Sequence, residues 1–521
     1  MATKDVEVLA GLGYKQEFKR AIRPLEMAGM AFSIIGLFPS TTSTLSLSLP
    51  NGGTAGLIWG WTICSFFGTI VACALAELAS AAPTAGGLYF WTFKYASPKW
   101  RRLLCWIVGY SNTMGVAAGM ASCIWACSVQ LLAAVSIGTN LSFTPTNAQI
   151  YGVYVALFIV TSTFASIATE TIARLQSAYA FLQVSLCFAI IIALPASTPH
   201  EFRNTASEVF TKFSNLSAWP TGFAFILSFT GPLWVMAGYD APMHMSEEAS
   251  NATTAIPFAL VSSLVTAAIM GYGINFALTF NMGTDIESIM ASPIGQPMAT
   301  IFFNSFGNKG ALAVWAFVVL AQFAVGTNYM IACSRQVFAF ARDGALPFSR
   351  YLYRMNRYTQ TPVNCVWALT LVGLLIGLLG FAGPAAINAS FSLAIVGGYI
   401  AYTIPISSRL FGPTPWRPGP FSLGKFSVPI AVTAALWLIF AITIVMFPAN
   451  PNPTVAGMNW TIVVGGGWLG LCILYFFFPE YGGVYWFRGP MANVREHSHS
   501  SVPAYVVTAS SDEKDEKYSE E

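Results

Sequence analysis

Between residues 25 and 479 the chain is a succession of apolar runs, each about 20 residues long, separated by short polar stretches. Coiled at 1.5 Å per residue, such a run crosses a hydrocarbon layer roughly 30 Å thick, where every backbone amide and carbonyl must find its partner within the protein. Helices meet that demand segment by segment, so the pattern specifies an all-α polytopic membrane protein. Only 9% of the 521 residues are charged, far below the roughly 25% of soluble domains, which leaves no material for a sizeable soluble domain.

Twelve transmembrane helices are expected, at about 25–49, 56–80, 103–135, 149–168, 176–195, 221–243, 256–280, 310–333, 364–382, 388–407, 427–447 and 457–478. Residues 1–24 form an N-terminal segment and 480–521 a tail, whose charged, serine-rich end "SSDEKDEKYSEE" is expected to be disordered. The first residues lack an apolar core ahead of a small-residue cleavage site, so no cleaved signal peptide is evident. An even number of spans puts both termini on one side. Lys94, Lys99, Arg101 and Arg102 follow span 2; Arg335, Arg342, Arg350, Arg354 and Arg357 follow span 8; Arg409, Arg417 and Lys425 follow span 10. That bias makes those exits, and both termini, cytoplasmic. In the opposite loops Arg203 and Lys212 are offset by Glu201 and Glu208, and sequons fall there at Asn140, Asn215 and Asn459.

Several functions are disfavoured at once. A net charge of +3 suggests no nucleic-acid partner, and no Gly-x-x-x-x-Gly-Lys phosphate loop suggests an ATP-driven pump. The nine cysteines contain no Cys-x-x-Cys pair and read as buried thiols. His200, His497 and His499 sit in polar stretches and only His244 lies near a span, where it reads as an interfacial residue; no metal or cofactor is expected. A membrane enzyme would need convergent nucleophiles or metal ligands that this placement does not supply. Lys4, Lys15, Lys19 and the lysines of the tail are candidate ubiquitin acceptors, solvation being the simpler reading.

Two spans carry interruptions. Span 1 reads "MAFSIIGLFPSTTSTLSLSL" (30–49) with Gly36 and Pro39 near its middle, and span 6 reads "FAFILSFTGPLWVMAGYD" (223–240) with Gly231 and Pro232 in a comparable place. Five spans separate the two, and an odd offset reverses direction through the membrane. Two inverted repeats, about 25–195 and 221–407, followed by two helices at 427–478, are therefore expected. Proline removes a backbone donor and glycine tolerates irregular backbone, so polar groups near each break lose intrahelical partners. Such groups persist at membrane depth only where protein or a wet cavity surrounds them. Amides near Ser40 and after Pro232 then suit a carboxylate, and carbonyls near Ile35 and Thr230 an ammonium. A simple kink is the alternative at either break; matched positions favour a site. Phe38, Trp234 and Tyr239 are candidates to cover a substrate, and Thr327 and Asn328 in span 8 either touch it or bridge helices. Gly115 and Gly119 in span 3, and Gly465, Gly466 and Gly467 in span 12, read as close helix packing.

Asp240 is the acidic residue placed well inside a span; Glu77 and Glu170 lie near span ends, and Glu247 and Glu248 beyond one. An intramembrane acid is costly and points to a proton carrier or gate, or else to a structural pair with Arg335. Eight residues past Pro232, it is expected about 12 Å from the break.

The stretches "ELASAAPTAGGLYFW" (77–91), "GYDAPMHMSEEASNA" (238–252) and "ACSRQVFAFARDGALPFS" (332–349) resemble the amino acid/choline branch of the amino acid–polyamine–organocation superfamily, in particular fungal gamma-aminobutyrate and amino-acid permeases. The resemblance implies a LeuT-like 5+5 inverted repeat with discontinuous helices 1 and 6, alternating access and proton coupling. It implies a substrate region on Ile35, Gly36, Leu37 and Phe38 and on Thr230, Gly231, Pro232 and Trp234, with Asp240 matching an aspartate of bacterial relatives. The chain departs from the pattern in its "IIGLFPS", where many relatives have more glycine, and in a span 5 without the lysine that some use. The expected function is a secondary active transporter importing a small amino compound, gamma-aminobutyrate or another amino acid ahead of polyamines and choline. The plasma membrane is the expected location, with the vacuolar membrane as the alternative. A nutrient sensor that binds without transporting is the rival reading.

Overall fold

The computed structural model describes residues 2–18, 20, 22–167, 169–455, 457–492 and 507–508. Lys19, His497, His499, "SSDEKDEKYSEE" and the side chains of Lys4 and Glu170 lie outside what is described. Among the described residues the secondary structure is helical apart from one short parallel pairing of Met491–Ala492 with Val507–Thr508 and two isolated bridges, Ile22 with Ala249 and Asn51 with Asn215. Among the described residues, ten helices are long and apolar enough to cross a membrane, and two shorter apolar ones, Thr221–Val235 and Thr461–Phe477, fall where spans 6 and 12 are expected.

Span 1 is two helices, Pro24–Ile35 and Leu37–Ser48, joined at Gly36 in the left-handed conformation (φ 56°, ψ 46°). Only glycine takes that conformation without a Cβ penalty. Pro24 opens the first piece at a position where its missing N–H costs nothing. Hydroxyls of Thr41, Thr42, Ser43 and Thr44 donate to carbonyls four residues back, so the serine- and threonine-rich second piece keeps its polar atoms satisfied in an apolar setting.

Span 6 differs from its expected form. Gly231 and Pro232 do not mark the unwound stretch; they lie in the first turn of the helix Thr230–Val235, where a proline's missing donor is tolerated. Only Ser228 and Phe229, both near helical geometry, separate that helix from Thr221–Leu227. The backbone unwinds four residues later, over 236–240, around Gly238 at φ 82°, before the short helix Ala241–His244.

Span 3 is a helix of 38 residues, Arg101–Gly138, and span 8 belongs to a run of 46, Pro297–Arg342, bent at Gly307. Span 3 packs along both span 8 and span 10, and span 7 lies along spans 1 and 2. Spans 3 and 10 meet backbone to backbone: a Cβ on Gly115 would stand 2.8 Å from the Gly398 nitrogen, and one on Gly397 2.6 Å from the Ser111 carbonyl oxygen. Gly119 accommodates the Tyr329 ring. In span 12 Gly465 meets Leu393, whereas Gly466 and Gly467 face open space, so the packing expected of them is absent. The nine cysteines are free thiols, eight of them buried.

Candidate functional site

The unwound stretch of span 6 and the break of span 1 face one cavity of about 30 Å³. Ile34, Ile35 and Ser40 line it from span 1, Trp234, Gly238 and Asp240 from span 6, Asn112 and Gly115 from span 3, Tyr329 from span 8, and Tyr399 and Tyr402 from span 10. Asp240 is the one charged side chain in that lining among the described residues. Unwinding leaves the amides of Gly238, Tyr239 and Asp240 without a hydrogen-bond partner among the described residues. At the other break the Ile35 carbonyl accepts the Ser40 hydroxyl (2.9 Å). Backbone donors, a neutral hydroxyl, phenols and one carboxylate make a lining suited to a small molecule carrying both an acidic and a basic group.

The other expected site residues are distributed around this cavity. Gly36 packs against Val325. Leu37 and Phe38 are fully buried, and the Phe38 ring stacks on Phe302 at 6.0 Å. The Gly231 amide donates to Ser48 Oγ (3.1 Å), and Gly231 and Pro232 line a separate crevice of about 20 Å³ with Thr44, Trp61 and Asn275. Asn328 donates to Ser33 Oγ (2.8 Å), one turn before the span 1 break, and Gln183 of span 5 donates to the Ser33 carbonyl (2.9 Å). Span 5 thus reaches the break through an amide. Thr327 donates to its own helix, at the Phe323 carbonyl. Tyr239 is buried, its ring 6.0 Å from that of Tyr402.

Asp240 stands at the end of the unwound stretch and on the cavity, not a further 12 Å along an intact helix. Its partner is not Arg335. Asp240 Oδ2 lies 3.2 Å from His244 Nε2, and both side chains are at least nine-tenths buried. His244 is therefore no interfacial residue: the Asn112 amide is 3.5 Å from its Nε2, and the Ala85 carbonyl 3.5 Å from its Nδ1. Sequence reasoning passed over Asn112, Tyr329, Tyr399 and Tyr402, although a polar Asn112 in an apolar span was a usable signal.

At the end where the N-terminal segment lies, the bundle is shut by paired charges. Arg342 meets Glu247 through two contacts of 3.0 Å, and Arg335 Nε meets Glu248 at 2.8 Å, all with nearly inaccessible side chains. Asp343 accepts from Tyr89 (2.7 Å), Tyr14 (3.2 Å) and the Met491 amide (3.1 Å), so residues before span 1 and after span 12 converge on one carboxylate. Burial pushes its pKa up to about 6, partly offset by Arg342. Asp5 accepts from the amides of Asn251 and Ala252, which start the span 7 helix. At the opposite end a vestibule of about 440 Å³ opens between spans 1, 6, 10, 11 and 12, lined in part by Thr230, Asn51, Asn388, Ser392 and Asn459. The rings of Trp234 and Phe391, 4.6 Å apart, fall in sequence between vestibule-lining Thr230 and Ala389 and cavity-lining Gly238 and Ala394.

Interrupted helices closing on a mainly apolar cavity that holds a few polar groups, sealed at one end and approached from the other, define a polytopic membrane transporter and not an enzyme. The family model described as amino acid permease matches residues 22–468. Across 98% of this chain and 92% of its own length, an uncharacterized amino-acid permease of Schizosaccharomyces pombe is 39% identical. The GABA-specific permease of Saccharomyces cerevisiae is 36% identical over 97% of the chain and 89% of its own length. For Amino-acid permease 2 of Neurospora crassa the identity is 34%, over 92% and 87%. The chain belongs to the amino acid permease family, within the amino acid–polyamine–organocation superfamily.

Proposed function

We propose that this permease carries gamma-aminobutyrate or another small amino acid inward together with protons, by alternating access at the plasma membrane, with both termini cytoplasmic. The observation that carries the reading is the cavity itself: two helix interruptions face it, and its lining includes Gly238 and Asp240, whose amides have no hydrogen-bond partner among the described residues, together with the Asp240 carboxylate. A single buried carboxylate suits a zwitterion better than a polycation, which disfavours polyamines. Ile35, Trp234 and Asp240 line the cavity directly; Gly36, Leu37, Phe38, Thr230, Gly231, Pro232, Tyr239 and Asn328 act on it through the backbone they shape or as its approach. With about 30 Å³ free, the cavity has room for water and not for an amino acid. Binding then requires the Trp234–Phe391 lid to part toward the vestibule, and release requires the Glu247–Arg342 and Glu248–Arg335 pairs to separate. Lys15, Lys4 and Lys19 are the proposed ubiquitin acceptors of the N-terminal segment.

Counterflow in proteoliposomes tests this, with labelled gamma-aminobutyrate competed by a panel of amino acids, polyamines and choline. Exchange of an amino acid is the expected result. Exchange confined to choline or a polyamine would replace the substrate class, and binding without exchange would make the protein a sensor.

A further inference from the structure

We propose that Asp240 and His244 form one proton-loading unit, in which His244 takes up the transported proton and passes its presence to the ion-paired gate through Ala85. The proposal rests on the proton-coupled reading above and assigns that role to a residue pair.

Each nitrogen of the His244 ring looks at an acceptor: Nε2 at the Asp240 carboxylate (3.2 Å) and Nδ1 at the Ala85 carbonyl (3.5 Å). A neutral imidazole carries one N–H and so leaves one nitrogen's lone pair facing an oxygen, relieved at Nε2 only by the Asn112 amide 3.5 Å away; an imidazolium carries two and serves both oxygens. The charge balance points the same way. Neutral histidine beside ionised aspartate gives a buried unit with net charge −1, and one added proton makes the unit neutral overall, removing an uncompensated charge from an apolar site. Among the described residues neither member makes a further ion pair. The titratable groups interacting with Asp240 are Tyr399 and Tyr402 of span 10, Tyr329 and Cys333 of span 8, and Tyr239 of its own segment. None of these supplies a cation that would make the added proton redundant.

The route to the gate is short. The Ala85 amide donates to Glu247 Oε1 (3.2 Å), and Glu247 holds Arg342. With the proton aboard, Nδ1–H bonds the Ala85 carbonyl; when the proton leaves, that bond goes and the residue that orients Glu247 is released on one side. The proton enters from the cavity by way of Asp240 onto Nε2 of the Nδ1–H tautomer and leaves from Nδ1 toward the gate; the neutral ring then carries Nε2–H and must exchange that proton back to Nδ1 before the next one loads.

The test uses the full chain in proteoliposomes and a labelled amino-acid mixture that includes gamma-aminobutyrate. His244→Gln keeps a side-chain amide beside Asp240 and cannot become a cation. It is expected to retain measurable counterflow while losing accumulation driven by an acid-outside gradient at least tenfold, with a flat pH profile; Asp240→Asn, which also changes the cavity lining, is expected to lose that accumulation too. Gradient-driven accumulation with the wild-type pH profile in His244→Gln would overturn the proposal. Loss of counterflow and accumulation together in His244→Gln would assign the histidine a structural role and overturn it too. Wild-type counterflow without any gradient-driven accumulation would instead remove the proton-coupled reading itself.

Discussion

Glu247→Gln isolates the closed gate. In the wild type the Glu247 carboxylate and the Arg342 guanidinium meet through two 3.0 Å contacts, with 1% and 2% of their side chains accessible. Removing one partner of a buried pair costs about 3–5 kcal/mol, because the remaining charge is left uncompensated in a poor solvent. Glu17 stands 3.9 Å from the same guanidinium and the Tyr14 ring 4.1 Å, so part of the loss is recovered and the lower end, about 3 kcal/mol, is appropriate. Opening the gate separates the pair in any case, so the substitution weakens only the closed conformation. At about 1.4 kcal/mol per tenfold, the equilibrium moves toward the open form by roughly two powers of ten. The assay is modification of Ile34→Cys, a buried cavity position, by an impermeant maleimide applied from the gate side in a background without other cysteines. The rate should rise on the order of a hundredfold, or to the reagent's limit, by that conversion. Adding Arg342→Gln should recover most of the closure, since a neutral pair leaves no orphan charge. A rate changed less than about threefold by Glu247→Gln, or a double variant more open than the single, would refute the electrostatic account.

Gly36→Ala should abolish substrate binding and lower thermal stability, since its Cβ would stand 2.3 Å from Val325 Cγ2 at φ 56°. Val325→Ala should restore part of the stability but not all, because the left-handed backbone cost remains; full rescue in a melting assay would show that the clash alone mattered. Phe391→Ala should thin the lid beside Trp234 and admit bulkier amino acids, seen as a widened competition panel in counterflow. For Asp343 the folded-state pKa is raised to about 6 from 3.8. Between those values the folded protein binds the extra proton, so this group's contribution to stability falls as pH rises from about 4 to 6. Asp343→Asn should flatten that window in a melting-temperature series, and an unchanged slope would place the titration elsewhere.

How much of the site could be read from the chain depended on how local each decision was. The span 1 break was legible because a left-handed turn is a property of Gly36 itself. The span 6 break was misplaced because Pro232 looks the same whether it breaks a helix or sits in its first turn. Asp240 is recognisable as costly from its depth alone, but the structural pair with Arg335 that stands as the alternative to a proton carrier or gate does not form, because Arg335 is held by Glu248. His244 was misjudged because a histidine near a span end is buried or wet according to what covers it, and the coverings, Asn112 and Ala85, come from elsewhere in the sequence.

By itself the sequence determined the solvent, the helical class, the order of apolar segments and the positions where the backbone had the freedom to break. These follow from the length of apolar runs and from the conformations open to glycine and proline, which are set within a few residues. Only the tertiary structure decided where span 6 unwinds, which polar groups face the cavity, and which acid meets which base. Those outcomes follow from distances between segments remote in sequence, and a buried charge or donor acquires its meaning only from the group that packing sets against it.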